Sequence, residues 1–232
     1  MNQGKFNASL DESLALLKDL ELLKEVNLHR NYAYSPECSD YSRNTNYRTI
    51  YQSLVDFRDY DIQLFDESLL QMSFTNGDCR MLFIQNPMNY LSFIDFISEI
   101  TDISELNNED LGALQYSFEQ EYEQSKDEMD LNTSAVYIRY DVDSNGRANN
   151  ENIHAYTHFH IDINNKIRIP VGVYLTPLAF ILFIIRHVYY DTWVKLVRDD
   201  YLSNKYLDFK KQCEALPVEL WTLDEQKALY IS

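Results

Sequence analysis

The sequence predicts one α+β domain over residues 1–232, in which antiparallel β-hairpins and a meander pack against a long apolar helix with further helices around them. Three observations predict it. Apolar and polar residues alternate in segments 134–143, 154–163 and 167–171, the period-two pattern of half-buried strands. Asn76-Gly77 separates two apolar runs, 68–74 and 79–85, which is a strong hairpin signal. Thr176-Pro177 then supplies an N-cap and a first-turn proline for an apolar stretch reaching residue 198.

Taken in order, Leu10, Leu14, Leu17, Leu20 and Leu23 recur at three- and four-residue steps behind Ser9, so residues 9–27 read as an amphipathic helix. Residues 29–49 carry no period and contain Pro36, as a long loop does. Arg30, Arg43 and Arg48 alternate there with Tyr32, Tyr34, Tyr41 and Tyr47. Such a patch either packs a surface loop or stacks on a single nucleic-acid strand. The hairpin of 68–85 follows, then apolar residues at helical spacing after Pro87 and a second helix over about 108–126. Strands at 134–143, 154–163 and 167–171 form a three-stranded antiparallel meander, with a turn at Asn164-Asn165-Lys166. Residues 176–198 are the expected buried spine, and 199–232 read as one or two peripheral helices broken near Pro217.

Charge and composition exclude whole classes of function. Lys and Arg number 20 against 37 Asp and Glu, a formal net charge of −17, so the chain repels anionic polymers and lipid unless a local basic site or a basic partner intervenes. Ten acids and one base, Lys126, fall between Asp102 and Asp130. That segment is either a solvated face or a docking surface for a basic partner. Three cysteines, Cys38, Cys79 and Cys213, are far apart, so neither a disulfide framework nor a Cys-x-x-Cys knuckle is expected and a reducing cytoplasm fits. The N-terminus lacks a cleavage signal. The longest apolar run, Leu178 to Ile185, is far short of the ~20 residues a bilayer span needs.

Three of five histidines lie within seven residues. On a strand, His154, Tyr156, His158, His160 and Asp162 share one face, and the neighbouring strand puts Tyr137, Arg139 and Asp141 on one face likewise. Paired imidazoles near their ordinary pKa of ~6.5 can act as acid and base, and Arg139 can neutralise a phosphate. The same set can hold a divalent metal (Mg²⁺, Mn²⁺, Zn²⁺ or Fe²⁺), with His154, His158 and His160 as ligands, Asp141 orienting a histidine or binding the metal, and an activated water. Both readings predict hydrolysis or strand scission. A row of polar side chains on an open, solvated sheet face is the competing reading. His187 reads as a core histidine, and His29 as a residue favouring the end of the first helix. Asp141-Val142-Asp143-Ser144-Asn145-Gly146 matches the opening of a calcium loop, but Asn152 stands where the bidentate Glu is required. Phosphate loop, dinucleotide fingerprint and Gly-x-Ser-x-Gly elbow are all missing from the sequence.

The order Tyr137-Ile138-Arg139-Tyr140-Asp141, Thr157-His158-Phe159-His160-Ile161, Arg168-Ile169-Pro170-Val171, then Thr176-Pro177 before an apolar helix resembles an uncharacterised bacterial domain family. That family is found beside a helicase in anti-phage defence loci. The Arg-Tyr-Asp plus His-x-His pair also resembles small bacterial toxins thought to degrade RNA. The resemblance implies a cytoplasmic two-component system in which a helicase supplies ATP-driven movement and this chain supplies an effector or a regulatory surface. The expectation is therefore a nuclease-like, phosphodiester-cleaving effector. His158, His160, Arg139, Asp141 and Tyr156 are its candidate catalytic residues, a helicase is its partner, and nucleic acid is reached through the complex, with no membrane. The alternative is a non-catalytic acidic subunit that docks on the partner's nucleic-acid face.

Overall fold

The first helix, α1 (Gln3–Asp19), starts six residues earlier than the leucine spacing predicts because Asn2 caps it, its side chain accepting from the Lys5 amide at 2.9 Å. It also stops earlier. The Glu21 amide bonds the Lys18 carbonyl and the Leu22 amide the Leu17 carbonyl, with Glu21 at φ 56°, a Schellman termination with glutamate in place of glycine. Leu23–Val26 then forms a strand, β1, where helix was expected. In the computed structural model the described residues are 1–27, 46–88, 93–101, 108–128, 135–144, 154–161, 163, 167–208 and 212–228. Most of the tyrosine–arginine loop, His29 and the turn at 164–166 lie outside them.

The chain divides into two compact units, one of Met1–Gln85 with Val136–Ser232 and one of Asn86–Ala135. In the first, α2 (Tyr47–Asp56) begins inside the expected loop, capped by Asn46. β2 (Ile62–Leu64), β3 (Leu69–Thr75) and β4 (Asp78–Ile84) follow. Asn76 and Gly77 both have positive φ, 53° and 96°, the type I′ geometry their sequence signals. In the second unit, α3 (Phe93–Ile100) precedes α4 (Asn108–Ser117) and α5 (Glu119–Glu128), so the expected helix over 108–126 is two. Within that unit Phe93 and Phe96 meet Tyr122 at ring distances of 5.4 and 5.3 Å.

The first unit resumes with the meander, β5 (Tyr137–Val142), β6 (Thr157–His160) and β7 (Arg168–Pro170). Strands β1 to β7 form one antiparallel sheet in sequence order. A short strand β8 (Val173–Tyr174) leads to α6 (Pro177–Val188), which Thr176 caps. The expected continuous helix to 198 is broken at Tyr189 (φ −112°, ψ 61°), after which α7 (Tyr190–Arg198) and α8 (Asp200–Tyr206) run on. Tyr189 donates to Asp66 at 2.8 Å and sets its ring edge-on to Phe83, long-range contacts that local periodicity does not encode. β9 (Glu214–Ala215) pairs with β8, and α9 (Leu223–Ala228) closes the described chain. Among the described residues no helix is long and apolar enough to cross a membrane.

Two cores sit on the two faces of the seven-stranded sheet. Met72, Phe74, Met81, Phe83, Ile138, Tyr140, Val142 and Phe159 pack with α1 and α6, and a fully buried ring such as Phe180 contributes roughly 1.5–3 kcal/mol. On the other face Leu69, Leu82, Ile84 and Tyr137 pack with Ile50, Tyr51 and Leu54 of α2. His187 is exposed, against the side of Phe183, and not in the core as its apolar helix suggests.

Candidate functional site

The α2-facing side of the sheet changes character along its strands. Register puts Leu82 opposite Arg139 and Arg139 opposite His160, while Arg80 lies opposite Asp141 and Asp141 opposite His158. Alternation then directs Arg80, Arg139, Asp141, His158 and His160 to one face, continuing the row that Ile84, Leu82 and Tyr137 begin. The assumed pairing of the two strands is thus the observed one. The row is not solvated as an open sheet face would be: Asp141 is 6% exposed, His158 1% and His160 2%.

Three atoms converge there. His158 Nε2 is 2.9 Å from His160 Nε2, and Asp141 Oδ2 is 3.3 Å from His160 Nε2 and 4.0 Å from His158 Nε2. His158 Nδ1 lies 3.0 Å from the Ala155 carbonyl, which can only accept, so that nitrogen carries the proton and Nε2 presents a lone pair. Asp141 is also held by two arginines. Arg139 donates to Oδ2 from Nε at 3.0 Å and from its terminal nitrogen at 2.8 Å, and Arg80 Nε donates to Oδ1 at 3.2 Å. Tyr137 in turn accepts from the Arg139 guanidinium at 3.3 Å.

This arrangement sets the protonation states. Burial works against ionising Asp141, but the hydrogen bond from His160 and the charges of Arg139 and Arg80 outweigh it and hold the carboxyl far below its usual range. Burial pushes His158 down to about 4, against the pull of the Asp141 charge, and pushes His160 down as well. Both imidazoles are neutral at physiological pH. A neutral and a protonated histidine side by side, as paired acid–base work requires, is therefore not what the cluster holds. Two neutral imidazoles and an ionised carboxylate are, with His160 Nε2 facing Asp141 Oδ2 at 3.3 Å.

The remaining expected residues lie around this centre. His154 stacks edge-on to His158 at 4.8 Å. Its Nδ1 accepts from Arg168 at 2.9 Å, and its Nε2 lies 3.3 Å from Asp143 without hydrogen-bond alignment. Among the described residues the set whose ligand atoms cluster is Asp141, His158 and His160, without His154. Tyr156 precedes β6 and packs against Tyr174 and the α6-side core, apart from the imidazole row it was expected to join. The calcium-like opening is occupied otherwise, since Asp141 serves the arginines. Asp162, Asn145 and Gly146 fall outside the described residues. Arg80 was missed as a site residue, whereas Tyr137 stands beside Arg139 on the face expected of it. A lone arginine inside the apolar run 79–85 was the available signal, but its partner lies 61 residues away.

The model of the family described as "Uncharacterized conserved protein (DUF2290)" matches residues 20–224, nearly all of the chain, and the chain belongs to that family. No curated protein and no solved structure matches it.

Proposed function

We propose that this member of the DUF2290 family cleaves phosphodiester bonds in nucleic acid, as the nuclease-like subunit of a bacterial anti-phage system that works with a helicase. The observation that carries the reading is the convergence of Arg139, Asp141, His158 and His160, with Arg80, into one buried cluster on a single sheet face. Hydrolysis needs a water made nucleophilic, positive charge where the scissile phosphate gathers negative charge, and groups held in place before the substrate arrives. The ring nitrogens of two neutral imidazoles and the Asp141 carboxylate surround one point, where the His158 Nε2 lone pair can take a proton from a water. Arg139 and Arg80 bring two guanidinium charges to the same place, more than the single carboxylate cancels. The helicase partner, the cytoplasmic setting and the defence role belong to the same proposal and rest on the resemblance of the Arg-Tyr-Asp, His-x-His and Arg-Ile-Pro-Val order.

The acidity of the chain fits a division of labour in which the partner grips nucleic acid and this subunit cuts it. The test is cleavage of labelled single- and double-stranded DNA and RNA by the full chain with its helicase. His158→Ala and His160→Ala are expected to leave a folded protein and a silent complex. Unchanged cleavage by the double substitution would overturn the proposal. It would favour instead a non-catalytic subunit docking through Glu119 and Glu121, both exposed on α5, whose charge reversal would then weaken the complex in a salt-sensitive way.

A further inference from the structure

We propose that His158 Nε2, His160 Nε2 and Asp141 Oδ2 bind one divalent transition-metal ion, which turns the hydrolytic site proposed above into a metal-dependent one. Coordination geometry is the first argument. Ligands at ~2.0–2.2 Å from such an ion stand about 3.0 Å apart in an octahedral corner and about 3.4 Å apart in a tetrahedral one. The three observed separations are 2.9, 3.3 and 4.0 Å, so the donor atoms already occupy one face of such a polyhedron, needing closure only on the longest edge.

Proton accounting is the second. His158 has committed its proton to the Ala155 carbonyl, and Asp141 is ionised between two arginines, so neither carries a proton inward. His160 Nε2 faces both of them and in the metal-free protein must carry the only proton among the three atoms. Its Nδ1 is then a buried lone pair with no hydrogen-bond partner among the described residues. A dication replaces that one inward proton, and the displaced proton leaves to solvent or moves to Nδ1. All three inward atoms then donate to a cation, as their chemistry suits.

Outer contacts are the third. Ligating imidazoles are oriented by a hydrogen bond from their second nitrogen to a carbonyl or carboxylate, and ligating carboxylates are themselves held. The Ala155 carbonyl serves His158, Arg80 holds Oδ1 of Asp141, and Oδ2, the oxygen nearest the histidines, accepts from Arg139 and would share itself between that guanidinium and the ion. Two nitrogens and one oxygen select zinc, manganese, iron or cobalt over magnesium, which prefers all-oxygen sets. With both arginines present the loaded site carries a surplus of positive charge, balanced by hydroxide and an anionic phosphodiester. Three protein ligands leave positions for both.

The experiment is a calorimetric titration of the full chain, stripped with chelator, with Zn²⁺ alone, and with Co²⁺ alone followed by visible absorption. One equivalent is expected to bind per chain, with net release of close to one proton if that proton leaves to solvent. His158→Ala, His160→Ala and Asp141→Asn should each weaken binding by more than the roughly 10–100-fold that loss of an outer-shell partner costs. His154→Ala should leave it nearly intact and serves as the folded control. Absence of binding by folded wild type, or binding indifferent to all three variants, would overturn the inference. Should a variant fail to fold, the Co²⁺ spectrum of wild type decides, since nitrogen-poor coordination elsewhere gives a different band pattern. Metal binding without any cleavage would leave this inference standing and sink the hydrolytic reading. Full cleavage by chelated enzyme would do the reverse.

Discussion

Mild acid should destabilise this protein through His158. Its imidazole is 1% exposed, and burial lowers its pKa from 6.5 to about 4, the Asp141 charge opposing and the His160 and His154 rings reinforcing the shift. Between those two values the unfolded chain binds a proton that the native state refuses, so stability falls as pH drops through that window and levels off below it. Linkage gives a loss of about 2 kcal/mol between pH 7 and pH 5, and about 3 kcal/mol in all. His160, lowered by the same burial, adds to the loss in the same window. Asp141 contributes differently. Its folded value is depressed, so its contribution is complete above the ordinary carboxylate range of ~3.9 and is lost only below it. Urea unfolding of wild type and His158→Gln at pH 7, 6 and 5, with chelator present, isolates the histidine. Wild type should lose about 2 kcal/mol more than the variant over that range. Equal losses would refute the buried, neutral imidazole on which the site argument depends.

Two further outcomes follow from the packing. Arg139→Met and Asp141→Leu should each cost up to about 3–5 kcal/mol, because each removes the closest counter-charge of a buried group, Asp141 keeping Arg80 and His160 in the first, while the double variant should cost far less than their sum; additive losses in denaturant titrations would contradict a buried ion pair. Gly172→Ala puts a Cβ 2.9 Å from Cε2 and Nε1 of Trp221, so the indole must move and tryptophan emission should shift, and an unchanged spectrum would show that the contact is not made in solution.

Local signals carried much of the fold and stopped where distance began. The Asn76-Gly77 hairpin, the three-strand meander and the Thr176-Pro177 helix start all announce themselves in adjacent residues, because turn geometry and capping are decided within four or five positions. The end of α1 does not. A glutamate adopting φ 56° leaves no glycine to read, and Leu20 and Leu23 prolong a helical pattern that the chain abandons. The break at Tyr189 is set by Asp66 and Phe83, more than a hundred residues earlier. In the site, alternation alone placed Arg139 with Asp141 and His158 with His160. Their burial, the exclusion of His154 from the convergent set, the turning of Tyr156 to Tyr174 and the arrival of Arg80 depend on register and on the chain around the strands.

Neither stability nor register accounts for the polar row. On the same sheet face Ile84, Leu82 and Tyr137 already build an apolar core with α2, and apolar residues at 139, 141, 158 and 160 would extend it. Exchanging a buried ion pair for well-packed apolar groups is commonly neutral or stabilising, so the fold forgoes nothing by such a change. Register is secured from the opposite face. Slipping β5 by one residue would turn Ile138, Tyr140 and Val142 out of the α6-side core, and slipping β6 would turn out Phe159, a penalty that holds the pairing whatever the histidines do. The polar row does one thing that an apolar substitute cannot. It holds two imidazole nitrogens and a carboxylate oxygen around a single point, with two guanidinium groups fixing the carboxylate. Groups buried at such a cost, and perturbed in pKa by that burial, are where chemistry is to be sought.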